Sequence, residues 1–172
     1  MDEATHDIRE ALQSIQLFSD VLRPDQLDQL AEQCDPVFFP SGASLMVHGE
    51  PGASMFCIVE GMVSLSLNRG HEFRRLGAGN VVGEMELLTG APRTATVTAL
   101  TDVHALEITK AALLELFARS PELIESFEAV LAIRQEMLEQ ISGNPTAASQ
   151  RSFAGRAAQA FARLLGWEKR RG

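Results

Sequence analysis

A glycine-glutamate pair and a proline-arginine pair, Gly83-Glu84 and Pro92-Arg93, carry the clearest chemistry in this chain. The stretch between and after them reads Met85-Glu86-Leu87-Leu88-Thr89-Gly90-Ala91 and then Thr94-Ala95-Thr96-Val97. Gly83 lets another group approach the backbone closely, because it has no Cβ. The residues after it form helix readily, and the N–H groups of a first helical turn lack intrahelical partners and carry partial positive charge. A phosphate can accept hydrogen bonds from them. Arg93, delivered by the fixed φ of Pro92, can offer a planar fork of donors to the same phosphate. Glu84 has a different chemistry: a carboxylate accepts and does not donate, so beside a phosphate it suits a hydroxyl such as a sugar 2′-OH. Together these residues make the parts of an anion site with a hydroxyl acceptor at its edge.

Such a site needs a frame. Residues 4–18 place Ile8, Ala11, Leu12 and Ile15 at helical spacing, and Pro24 suits the first turn of a second helix carrying Leu27, Leu30 and Ala31. From Asp35 to Ile108 the pattern changes to short apolar runs: 37–39, 45–47, 55–59, 62–67, 72–76, 94–99 and 103–108. Gly42, Gly49, Gly52, Gly61, Gly70, Gly77 and Gly79, with Pro40 and Pro51, fall between them. Many short strands with regular turn signals predict an antiparallel roll or barrel. After it, Thr109 can cap a helix through Arg119, and Ser120-Pro121-Glu122 reads as the start of another, with Ser at N-cap and Pro at N1. That helix runs to about Ile141, before Gly143, Asn144 and Pro145.

On this last helix, about 3.6 residues per turn puts Arg134 within about 20° of the Leu123 direction, in the middle of an apolar stripe with Phe127, Val130, Leu138 and Ile141. An arginine there either lays its stem on the stripe and carries its head to water or an acid, or finds a dedicated partner. Beyond it, Phe153, Ala157, Phe161, Leu164 and Leu165 share one helical face, while Arg156, Arg163 and Arg170 recur every seven residues on another. This basic amphipathic segment, 151–172, suits peripheral membrane contact, an acidic partner, or packing back on the body of the chain.

Composition narrows the function classes. A chain of 172 residues with 45% hydrophobic and 22% charged residues has room for one domain with a core and a short appendage. The formal charge of −8 is uneven: residues 142–172 carry a net +5 and residues 1–141 a net −13. An acidic body of this kind does not suit nucleic acid. Cys34 and Cys57 have neither metal-ligand nor disulfide-framework spacing, and Cys57 lies in an apolar run, which suits a reducing compartment. No apolar run approaches the length of a membrane span and no signal peptide opens the chain, so a soluble, cytoplasmic protein is expected.

The motif G-E-M-x-L-L-x-G-x-P-R-T-A-T resembles the phosphate-binding cassette of cyclic nucleotide-binding domains, with Gly83, Glu84, Leu87, Pro92, Arg93 and Ala95 in register and agreement in the flanking chain from about Ser14 to Ile141. The resemblance implies an α+β fold: an antiparallel, jelly-roll-like β-roll with N-terminal helices, a short cassette helix, and C-terminal hinge and lid helices. It implies a ligand, cAMP or cGMP, and no cofactor or metal. The ligand-binding set it implies is Gly83, Glu84, Met85, Glu86, Arg93, Thr94 and Ala95, with Arg134 as lid residue over the base. Within it Glu84 binds the ribose 2′-OH, Arg93 binds the cyclic phosphate, and backbone amides including those of Glu86 and Thr94 complete the cradle. The resemblance also implies that the Thr94 hydroxyl takes a guanine amino group, so cGMP is admitted beside cAMP.

Domain boundaries follow: 1–141 for the cyclic nucleotide-binding domain, with N-terminal helices over 4–34, the roll over 35–108 and C-terminal helices over 109–141, then 142–172 as linker and tail. The sequence departs from the family pattern at three places. Glu86 stands where alanine or serine is usual and is expected to point outward, since a carboxylate facing in would repel a phosphodiester. Val81-Val82 replaces an aromatic pair, and Arg74 stands near a position that packs on the base.

A cupin-like metalloenzyme would need clustered ligands, which His6, His48, His71 and His104 do not offer in sequence, so no enzyme is expected. A catabolite-activator-type transcription factor would need a DNA-binding module after Ile141, and 31 residues are too few. A-L-T-D-V-H-A-L-E-I-T-K followed by S-P-E-L and A-I-R-Q resembles domains at the C-terminal end of bacterial cyclic nucleotide-gated channels, mechanosensitive-type pores included. The expected function is a sensor acting on a channel pore or other effector protein at the cytoplasmic face of a membrane. The alternative is a stand-alone regulator of a partner.

Overall fold

The computed structural model describes residues 2–67, 70–130 and 132. Three helices open the chain: α1 (Glu3–Ser14), α2 (Gln16–Ser19) and α3 (Pro24–Ala31). Asp2 caps α1 by accepting from the Thr5 N–H at 2.8 Å, and the Arg23 N–H donates to Gln26 Oε1 at 2.9 Å at the start of α3. The single amphipathic helix expected over 4–18 is broken. Ile15 is extended, with φ −82° and ψ 114°, and buries its side chain in the core, so α1 stops at Ser14 and α2 starts after it.

Among the described residues, eight strands follow: β1 (Asp35–Phe39), β2 (Ser44–Met46), β3 (Ser54–Glu60), β4 (Met62–Ser66), β5 (Glu72–Gly77), β6 (Val81–Val82), β7 (Thr96–Ala99) and β8 (Val103–Thr109). They form two four-stranded antiparallel sheets, ordered β1-β8-β3-β6 and β2-β7-β4-β5. This is the antiparallel roll that the turn spacing predicts. Strand β6 lies outside the expected set of strands. Two residues are too few to show an alternation, yet Val81 and Val82 pair with Cys57 and Phe56.

The β1-β8-β3-β6 sheet is covered on both faces, and β3 records it as an unbroken apolar run rather than an alternation. Met55 and Cys57 join the helix-side core with Leu106, Ile108, Leu12, Phe18, Leu113 and Phe117. Phe56 and Ile58 point the other way, into the core between the sheets with Val63, Val97 and Val103. Phe39 meets Phe56 edge-on at a centroid distance of 5.4 Å.

Strand β8 feeds directly into α5 (Lys110–Arg119), whose N-cap Thr109 accepts from the Ala112 N–H at 3.1 Å, as the sequence predicts. A helical segment over 122–130 follows. Its start is tied to α3: the Gln26 side chain, 1% exposed, donates to Ser120 Oγ at 3.0 Å. Phe127 completes the join, 5.3 Å from Phe117 and 6.2 Å from Phe18 between ring centroids. Arg134, the rest of the predicted last helix and the 151–172 tail lie outside the described residues. Among the described residues no helix is long and apolar enough to cross a membrane.

Candidate functional site

The short helix α4 (Glu84–Thr89) sits between β6 and β7, entered through Gly83 and left through Gly90, both in the left-handed region. At Gly83, with φ +85°, glycine is required twice over. A side chain would strain the backbone, and its Cβ would lie 2.5 Å from Arg93 Nη1 and 2.8 Å from Met46 Sδ. Leu87, 1% exposed, anchors α4 in the helix-side core. Met85 packs its side chain against that same core.

Arg93 is held at both ends. Its backbone N–H donates to Glu50 O at 2.8 Å, and its carbonyl accepts from the Gly49 N–H at 2.8 Å, which pins it to the loop between β2 and β3. Its guanidinium is buried and donates from Nη1 to the Gly83 carbonyl at 3.1 Å and from Nη2 to the Ser54 carbonyl. Gly52 closes the other side: a Cβ there would lie 2.6 Å from Arg93 Cζ. Burial pulls the Arg93 guanidinium below its ordinary value, and the Glu86 and then Glu84 carboxylates pull it back. A guanidinium stays protonated nonetheless, so the site holds a fixed positive charge.

Glu86 does not point outward as expected. It is buried, with Oε1 accepting from the Thr94 N–H at 3.1 Å and from Thr94 Oγ1 at 2.6 Å, and Oε2 lies 3.8 Å from Arg93 Nη1. The reason is geometric. Successive helix positions are about 100° apart, so burying Leu87 in the core swings residue 86 toward the Arg93 side. Once there, a carboxylate gains two hydrogen bonds and a cation that compensate its desolvation.

The structure therefore brings Gly83, Glu84, Glu86, Arg93 and Thr94 into one cluster, with Ala95 half-buried at the start of the chain's turn into β7. Four neighbours were not foreseen: Met46, Gly49, Gly52 and Ser54. Pro51-Gly52 is visible in the sequence only as a turn signal, and Ser54 contributes its backbone carbonyl, which side-chain identity does not mark. Among the described residues, no three His, Cys, Asp or Glu side chains group as a metal site.

Comparison with known proteins gives this geometry a context. The family model described as the cyclic nucleotide-binding domain matches residues 36–120. That stretch is a cyclic nucleotide-binding domain. The chain is 39% identical over 119 residues to a cyclic nucleotide-gated potassium channel of Rhizobium etli, covering 69% of this chain and 31% of the relative. It is 31% identical over 117 residues to a CRP-like cAMP-activated global transcriptional regulator of Mycobacterium tuberculosis, covering 66% of this chain and 52% of the relative. The chain thus spans a third to a half of these curated relatives. Among solved structures, cAMP-bound PfPKA-R matches with a TM-score of 0.71 at 19% identity, over 84% of this chain and 49% of that one. At that identity the likeness shows the fold: the β-roll with flanking helices of a cyclic nucleotide-binding domain.

Proposed function

We propose that this domain is a sensor that binds cAMP or cGMP at the α4–Arg93 cluster and passes a movement of its C-terminal helices to an effector. The observation that carries the reading is Arg93. A charge with a buried side chain is costly to desolvate, and this one is pinned by two backbone hydrogen bonds, two carbonyl acceptors and two glycines that leave room for it. A fixed guanidinium beside a helix start is suited to a phosphate, and Glu84 beside it is suited to a ribose hydroxyl. Thr94, which follows, carries a hydroxyl for a guanine amino group. A lid residue beyond 132, for which the sequence offers Arg134, would close over the base.

The effector reading rests on the relatives. Similarity to a potassium channel favours a pore as the partner, at the cytoplasmic face of a membrane, over a stand-alone regulator. The relatives are named as a channel and a transcriptional regulator, which favours sensing over catalysis. Titration calorimetry with cAMP and cGMP tests the site. Binding by the wild type and its loss in Arg93→Ala is the expected result, and equal binding by both proteins would remove the assignment.

A further inference from the structure

The Thr94 N–H, suited to a ligand phosphate, and the Thr94 hydroxyl, suited to a guanine amino group, already serve an anion. Glu86 Oε1 takes both the N–H and the hydroxyl of Thr94, and its second oxygen faces the Arg93 guanidinium at 3.8 Å. The carboxylate is buried and carried on the same short helix as Glu84, also buried. A phosphodiester entering beside Arg93 would put a second anion against the guanidinium that Glu86 already faces. Like charges at such distances in a poorly solvated site repel by several kcal/mol, more than a cyclic nucleotide could offset with one hydrogen bond.

We propose that Glu86 is a built-in occupant of the phosphate site. Its carboxylate holds the Thr94 donors and faces Arg93, a cyclic nucleotide binds only by displacing it, and residue 86 thereby sets the affinity threshold of the sensor. The inference rests on the cyclic-nucleotide reading above and concerns the same site. Displacement turns Glu86 out to water and releases the Thr94 N–H and hydroxyl to the ligand. The ligand's net gain is then an exchange of one anion for another, which makes binding weaker than Arg93 alone would allow.

The test is titration of the intact chain with cAMP and cGMP in wild type, Glu86→Gln and Glu86→Ala, with Arg93→Ala alongside. Glu86→Gln keeps the size and an acceptor for Thr94, so it guards against a folding defect in the alanine variant. The expected result is tighter binding in both Glu86 variants, by about tenfold or more in Glu86→Ala. A second readout needs no affinity: the Glu86 side-chain carboxyl carbon resonance should move when ligand is added to the wild type. Unchanged or weaker binding in both Glu86 variants, with Arg93→Ala still losing the ligand, would overturn the proposal and leave the cyclic-nucleotide reading standing. Absence of binding in wild type and both Glu86 variants would overturn that reading, and this one with it.

Discussion

Arg93 and the two glycines around it make the sharpest predictions at the scale of single residues. Removing a charge-assisted bidentate contact to a phosphate typically costs about 2–5 kcal/mol, so Arg93→Ala should raise Kd by about 30-fold to several thousand-fold in calorimetry. Glu84→Ala should cost less, since it loses one or two hydrogen bonds to a hydroxyl. Gly52→Ala separates position from charge. Its Cβ would meet the guanidinium at 2.6 Å without the positive φ that strains Gly83, so Arg93 must move off the Gly83 and Ser54 carbonyls. Nucleotide affinity should fall several-fold, and an unchanged Kd would show that Arg93 tolerates the shift. Gly83, Glu84 and Arg93 are legible in the sequence because their types and spacing are chemical. The role of Gly52 is not, because it depends on an atom 41 positions later in the chain. Nor is the orientation of Glu86, which is set by where Leu87 must bury and by the donors of Thr94.

Among the elements, the roll is the legible part and the short connections are not. Apolar runs bounded by Gly and Pro give seven of the strands, since each is long enough to carry a pattern. Strand β6 is two valines and carries none. Strand β7 starts at Thr96 rather than Thr94 because Arg93 and Thr94 are committed to the loop and to Glu86. The break at Ile15 is similarly invisible, since an isoleucine at helical spacing looks the same whether it continues a helix or ends one. The segment 122–130 docks through Phe127, which is 3% exposed between Phe117 and Phe18. Phe127→Ala should therefore destabilise the domain by about 3–5 kcal/mol in urea unfolding. A loss well under 1 kcal/mol would mean that the segment packs too loosely to carry a signal from the roll.

For the molecule as a whole, one helix-side core joins the N-terminal helices, α4 and the C-terminal helices. Cys34 lies at its edge, where burial and then the neighbouring Asp35 carboxylate push the thiol up from 9.0 to about 12. The folded state thus holds this proton more tightly than the unfolded state. The resulting stabilisation is fully present below pH 9 and is lost as pH rises toward about 12, by at most about 1.4 kcal/mol per pH unit. Urea unfolding from pH 8 to 10.5 should fall less steeply in Cys34→Ala than in the wild type, and identical slopes would contradict the burial of that thiol. The same core joins Leu87 of α4 to Leu113, Leu116 and Phe127, a continuous packed path from the site to the C-terminal helices. A ligand shifts such a structure only through contacts that differ between its two states, and the Arg93 cluster is where those contacts would form. Backbone hydrogen exchange with and without saturating cAMP or cGMP measures this most directly. Slowed exchange across 83–95, accompanied by a change across 122–130, is the predicted result, and unchanged exchange over 83–95 would contradict it.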